Sequence, residues 1–134
     1  MRKIKILELG SGKRPLMLNE KDVEIVHLDM VKLPHVEVVH NLNQTPWPFE
    51  DGEFDIVASF HVLEHLEDLP KVIEESFRVL NKNGVFLCVV PYFRHWGFYA
   101  HPQHKTFFHW KHLIIGILEQ KEEKCSSKKF FSNV

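Results

Sequence analysis

Residues 54–90 read FDIVASFHVLEHLEDLPKVIEESFRVLNKNGVFLCVV, a strand, helix and strand in succession. Its first seven residues form an apolar run that predicts a buried strand. Asp68 then stands as a helix N-cap, with Pro70 in the first turn. Leu66, Leu69, Ile73, Phe77 and Leu80 fall at helical spacing. NKNG at 81–84 stops the helix, with Gly84 free to take a left-handed conformation. GVFLCVVP at 84–91 predicts the next strand. A strand, a helix and a strand at this distance make a right-handed crossover between parallel strands.

Toward the N-terminus, IKILEL (4–9), VEIVHLDM (23–30) and VEVVHNL (36–42) predict three earlier strands. Several of the five runs are continuously apolar rather than alternating, so the sheet is expected to be covered on both faces. The fold class is therefore α/β: a mostly parallel sheet flanked by helices. The link from Gly10 to Val23 leaves room for about one or two helical turns, against the dozen or so residues of a full crossover. HKTFFHWKHLIIGILEQ (104–120) predicts a further helix with Phe108, Leu113, Ile117 and Leu118 inward. Residues 120–134 read as a frayed tail or a last edge strand. The whole of 1–134 is expected to be one domain.

Composition narrows the function classes. The chain has 134 residues, 44% hydrophobic and 26% charged, with a formal net charge of −1, so no global footprint for nucleic acid exists. Cys88 and Cys125 lie far apart in no metal or redox spacing, which points to a reduced, cytoplasmic chain. The opening MRKIKILELG is too short in its apolar part for a signal peptide, and Glu8 interrupts it. No apolar run is long enough to span a membrane.

The chemistry begins at Gly10-Ser11-Gly12, directly after the first strand. Glycine permits positive φ and lets a ligand approach the backbone closely. Asp29 ends the second strand 19 residues after Gly10, where an acid can accept hydrogen bonds from ribose hydroxyls. Pro15 holds the place of the third glycine of a dinucleotide fingerprint, which argues against a pyrophosphate cradle. The competing reading is a plain strand-to-loop turn beside a surface aspartate.

ILELGSG, then HLDM, then NLNQTPWPFEDGEFDIVASFHVLEHLEDLPKVIEESFRVLNKNGVFLCVVP resemble a class I S-adenosylmethionine-dependent methyltransferase over residues 4–104. The most specific part is FDIVASFHVLEHL followed by RVLNKNG. The resemblance implies S-adenosylmethionine as cofactor. It places Glu8, Gly10 and Gly12 at the methionine part, Asp29 at the ribose, and Asn41 and Leu42 beside the adenine. It sets Asp55 near the cofactor's amino end, and Phe60 and His61 along the cofactor past the fourth strand. The chain departs from the family at Arg14, where a further glycine is missing. Its first two crossovers are short and the family's last two strands are missing from the pattern, so the resemblance implies a Rossmann-like, mostly parallel sheet flanked by helices, minimal or truncated at the C-terminus. Methyl transfer is an in-line displacement at a carbon activated by a sulfonium, so alignment supplies much of the rate and no fixed acid or base is required.

Ten histidines are unusual for this length, and five lie after position 94. HPQHKTFFHWKH (101–112) carries no carboxylate or cysteine, so a metal centre is not expected. His101 and His104 instead face the acceptor in the family reading, where either can act as a base near neutral pH. His61 is read as lining the cofactor, while Glu64 and His65 cap the turn or face water. Trp47, between two prolines, reads as a rigid loop anchor. Lys13 and Arg14 could steer a carboxylate or phosphate, but a solvated surface is the preferred reading.

The expected function is methyl transfer to an unidentified acceptor. Two rivals are a cofactor-binding remnant or partner-binding subunit without catalysis, and a nucleotide-dependent oxidoreductase. No membrane or nucleic-acid partner is indicated, and a homodimer would cover a shortened sheet edge.

Overall fold

The computed structural model describes residues 2–90 and the backbone of Leu118–Glu119. The elements are β1 (Ile4–Leu9), β2 (Val23–Asp29), β3 (Val38–Val39), β4 (Phe54–Phe60), a 3₁₀ turn (Leu63–His65), α1 (Leu69–Val79), β5 (Leu80–Val89) and β6 (Leu118–Glu119). They form one sheet in the order β3-β2-β1-β4-β5-β6. The first five strands are parallel to their neighbours, and β6 runs antiparallel to β5. The mostly parallel Rossmann-like sheet is thus the one the sequence predicts. Ile6, Leu7, Glu8 and Leu9 are buried in succession, as a strand covered on both faces must be.

Helix α1 begins as expected. The Asp68 side chain accepts from the Lys71 N–H at 3.3 Å, and Pro70 occupies the first turn, where its missing N–H costs nothing. Val72, Ile73 and Phe77 point at the sheet and are buried, each contributing about 1.5–3 kcal/mol by removal from water. Phe77 meets Phe86 of β5 with ring centroids 6.1 Å apart.

Four expectations are corrected. Helix α1 ends at Val79, and Leu80 is already extended (φ −74°, ψ 139°) because it pairs with Phe54 of β4. Asn81–Gly84 therefore bulge within β5 rather than cap the helix, and Gly84 is not left-handed. The glycine serves close approach: a Cβ there would lie 2.8 Å from Leu80 Cδ2 and 3.0 Å from the Asn81 carbonyl. The third strand shrinks to two residues. The link from Gly10 to Asp22 contains no helical turn at all. Finally, Leu118 and Glu119 pair with Phe86 and Val85 as a strand, so the helix expected over 104–120 does not extend through them. The rest of that segment and the tail lie outside the described residues.

Trp47 is the anchor the sequence suggests. It is buried, its Nε1–H donates to the Leu42 carbonyl at 3.1 Å, and its backbone N–H donates to Glu75 of α1 at 2.8 Å.

Candidate functional site

The carboxyl ends of β1, β2 and β4 converge on the segment Gly10–Leu16. Gly10 and Gly12 both have positive φ, +63° and +55°. At Gly10 the need is doubled, because a Cβ would lie 2.6 Å from Val62 Cγ2. At Gly12 the space is open, with the Gly10 carbonyl 4.0 Å away. The first demand is packing; the second leaves bare backbone.

The acid and the loop meet directly. Asp29 accepts from the Gly12 N–H at 2.8 Å through one oxygen and from the Val31 N–H at 2.9 Å through the other. A carboxylate offers about four acceptor sites, so both oxygens retain capacity for further donors. The Gly10 and Ser11 N–H groups both donate to the Leu28 carbonyl, at 2.8 and 3.2 Å. Three successive N–H groups are thus engaged within the protein. A pyrophosphate nest needs such groups turned outward, and the dinucleotide reading loses its support.

Glu8 is buried and spans the loop from behind. Both its oxygens accept from the Leu16 N–H at 3.0 Å, and Oε2 lies 2.7 Å from His27 Nδ1. His35 Nε2 is 3.2 Å from Ser11 Oγ, and its ring stands edge-on to His27 at 5.4 Å between centroids. A cleft of about 260 Å³ opens beside this assembly, lined by Glu8, Gly10, Ser11, Arg14, Pro15, Leu16 and Phe60. Such a wall offers an acid, a cation, bare backbone and an aromatic face, which fits a ligand carrying both charged and apolar parts.

His61 follows β4 at the same end. Its φ is +55°, uncommon for a residue with a side chain, and its N–H donates to the Val89 carbonyl at 2.8 Å. Its Nδ1 lies 3.8 Å from Glu64 Oε1, and His65 Nε2 lies 3.9 Å from the same oxygen. Glu64 is itself buried, at 1% exposure, rather than facing water as the turn's sequence suggests. Asn41 and Leu42 come two and three residues after β3, beside the Asp29 end of β2. The His40 N–H binds the Asp29 carbonyl at 2.9 Å, and Asn41 Oδ1 accepts from the Asn43 N–H at 3.0 Å. Leu42 is buried in the core.

The structure therefore brings Glu8, Gly10, Gly12, Asp29, Asn41, Leu42, Phe60 and His61 to one end of the sheet. Asp55 stands apart, at the amino end of β4. There it accepts from the Lys5 N–H at 2.8 Å, from Arg2 at 2.9 Å and from the Asn81 amide. It joins β1, β4 and the β5 bulge, and the strand's length separates it from the loop. His101 and His104 lie outside the described residues. No cluster of metal-ligating side chains occurs among the described residues.

Ser11, His27 and His35 join the site without having been singled out by their sequence pattern, and Arg14, exposed as expected, lines the cleft. A signal for His27 existed. Glu8 is next to last in β1 and His27 stands two residues before the end of β2, so parallel pairing of the two strands sets them opposite each other on one face.

The methyltransferase-domain family matches residues 9–88. A probable S-adenosylmethionine-dependent methyltransferase of Mycolicibacterium smegmatis is 36% identical over 99 residues, covering 64% of this chain and 37% of that protein. One from Mycobacterium tuberculosis is 38% identical over 61 residues, covering 45% of this chain and 22% of that protein. The chain thus spans well under half the length of these curated relatives. Among solved structures, the YcgJ protein of Bacillus subtilis is 26% identical with a TM-score of 0.56, covering 67% of this chain and 45% of the other. The methyltransferase in the complex with the Haloferax volcanii Trm112 activator is 19% identical with a TM-score of 0.61, covering 81% and 56%. With 80 consecutive residues from β1 to β5 matched by that family, the chain belongs to the class I S-adenosylmethionine-dependent methyltransferases.

Proposed function

We propose that the chain binds S-adenosylmethionine across the carboxyl ends of β1, β2 and β4 and directs its methyl group to an acceptor. The observation that carries this reading is the contact between the Asp29 carboxylate and the Gly12 N–H, in a loop whose Gly10, Ser11 and Leu16 line a cleft. Asp29 accepts from the ribose hydroxyls with its remaining lone pairs. Asn41 and Leu42, just past β3, flank the adenine. Gly10 and Gly12 present backbone, and Phe60 and His61 line the remaining wall. Glu8 and Arg14 give the cleft one charge of each sign, suited to an amino-acid moiety with its own ammonium and carboxylate. When bound, the cofactor supplies a methyl group on a sulfonium, a cation that aromatic faces accommodate.

His101 and His104 are proposed on the acceptor side from sequence alone. A cytoplasmic location rests likewise on the cysteine pattern, and a homodimer on the sheet edge that the sequence leaves truncated. Among the described residues no helix is long and apolar enough to cross a membrane.

Titration calorimetry with S-adenosylhomocysteine tests the cofactor reading, with NAD and NADP as controls. The expected result is binding of the homocysteine compound alone. Asp29→Ala should weaken it about 10- to 100-fold, the loss of charge-assisted hydrogen bonds. Equal binding of NAD, or an unchanged constant for Asp29→Ala, overturns the reading.

A further inference from the structure

The link after β1 has no helix to hold the ligand loop, yet the loop is tied at three points. Gly12 is held by Asp29, Ser11 by His35, and Leu16 by Glu8. In open α/β sheets the first turn of a crossover helix usually fixes the equivalent loop. Residues 10–22 contain no such turn.

We propose that His27, acting through Glu8, and His35, acting through Ser11, replace that helix as positioning residues for the cofactor loop. The inference rests on the cofactor reading above. Glu8 has 3% of its surface exposed, and an ionised carboxylate so buried requires partners. One N–H, that of Leu16, is shared between its two oxygens. The second partner is His27 Nδ1, at 2.7 Å from Oε2. A carboxylate only accepts, so Nδ1 carries the proton, and Glu8 fixes the tautomer. The charged and titratable groups facing His27 are Glu8 from β1, the His35 ring from the following loop, and Glu37, which takes the His27 backbone N–H at 2.7 Å. Glu37 fixes the backbone, His35 bounds the ring, and the imidazole is left one productive direction, toward Glu8. Without the imidazole, Glu8 turns to water, the Leu16 N–H is released and residues 10–16 open. Binding must then order the loop before it can use it, so affinity falls while the sheet persists.

The test uses the full chain and S-adenosylhomocysteine. His27→Leu should weaken binding at least tenfold and remove hydrogen-exchange protection at the Leu16 amide, leaving Val57 and Ala58 protected. His27→Asn, whose amide nitrogen sits where Nδ1 sits, should restore affinity to within about threefold. His35→Leu should weaken binding and His35→Gln restore it in the same way. Nitrogen-15 spectra of the unmodified protein should show His27 protonated at Nδ1 at neutral pH, a reading available even if His27→Leu does not fold. A folded His27→Leu with full affinity and a protected Leu16 overturns the proposal, as does an unprotonated Nδ1. Failure of the unmodified chain to bind S-adenosylhomocysteine overturns the cofactor reading instead, and the exchange and nitrogen-15 results still report on the loop.

Discussion

At the residue scale, two glycines of one loop have different duties. Gly10→Ala combines a positive φ with a 2.6 Å approach to Val62 Cγ2 and should cost about 1–3 kcal/mol, read by urea unfolding. Gly12→Ala meets no such obstacle, so only the φ penalty of about 1–2 kcal/mol applies to stability. Its main effect should appear as weaker S-adenosylhomocysteine binding, because the methyl group covers bare backbone. Equal losses of stability and equal losses of affinity in the two variants would count against this division. His61 carries the same backbone conformation with a side chain attached. His61→Gly should raise stability by about 1 kcal/mol, visible as a higher melting temperature, and on the proposed reading it should also weaken S-adenosylhomocysteine binding. The glycines and Asp29 were legible because strand, turn and carboxylate are local patterns. His35 was not, since its partner Ser11 lies 24 residues away and only the folded chain joins them.

At the element scale, α1 is clasped to the segment before β4 by one arginine. Arg78 donates to Glu75 at 2.8 Å, to Asp51 at 2.7 Å, and to the carbonyls of Phe49 and Trp47 at 2.9 and 3.2 Å. Burial alone would push the Glu75 carboxyl up. Hydrogen bonds from Arg78 and the Trp47 N–H, with the Arg78 charge, outweigh it and hold Glu75 below its ordinary value. The same carboxylates hold the Arg78 guanidinium charged against burial. A depressed carboxyl stabilises the fold at every pH above its unfolded value of about 4.3, and that contribution is lost as pH falls through the lower folded value. Unfolding followed from pH 7 to pH 3 should therefore show a steeper acid decline in the unmodified protein than in Glu75→Gln. Matching slopes would place the acid sensitivity elsewhere. The start of α1 was legible through Asp68 and Pro70. Its end was not, because NKNG has the composition of a helix stop, whereas pairing of Leu80 with Phe54 begins the strand one residue after the helix.

On the scale of the whole molecule, the two ends of the sheet do different work. The carboxyl end carries the loop and its acid. The amino end carries Asp55 with Arg2, Lys5 and Asn81, and near it a second cleft of about 550 Å³ lined by Lys5, Trp47 and Glu53 among others. Residue 55 and the loop are separated by five strand positions, about 16 Å. Asp55→Asn should cost about 1–3 kcal/mol in stability yet leave S-adenosylhomocysteine affinity of the folded protein unchanged. Calorimetry beside thermal unfolding reads both; a loss of affinity without a loss of stability would return Asp55 to the site.

Short-range patterns in the chain were enough to specify the parallel sheet, its crossover helix, the glycine turn and the acid that ends β2, because apolar runs, caps and glycines act over a few residues. Folding in three dimensions set the two-residue length of β3, the place of Asp55 at the opposite end, and the strap of Glu8, His27, His35 and Ser11. Those outcomes depend on strand register and on which buried charge finds which donor, and neither is encoded within a single stretch of chain.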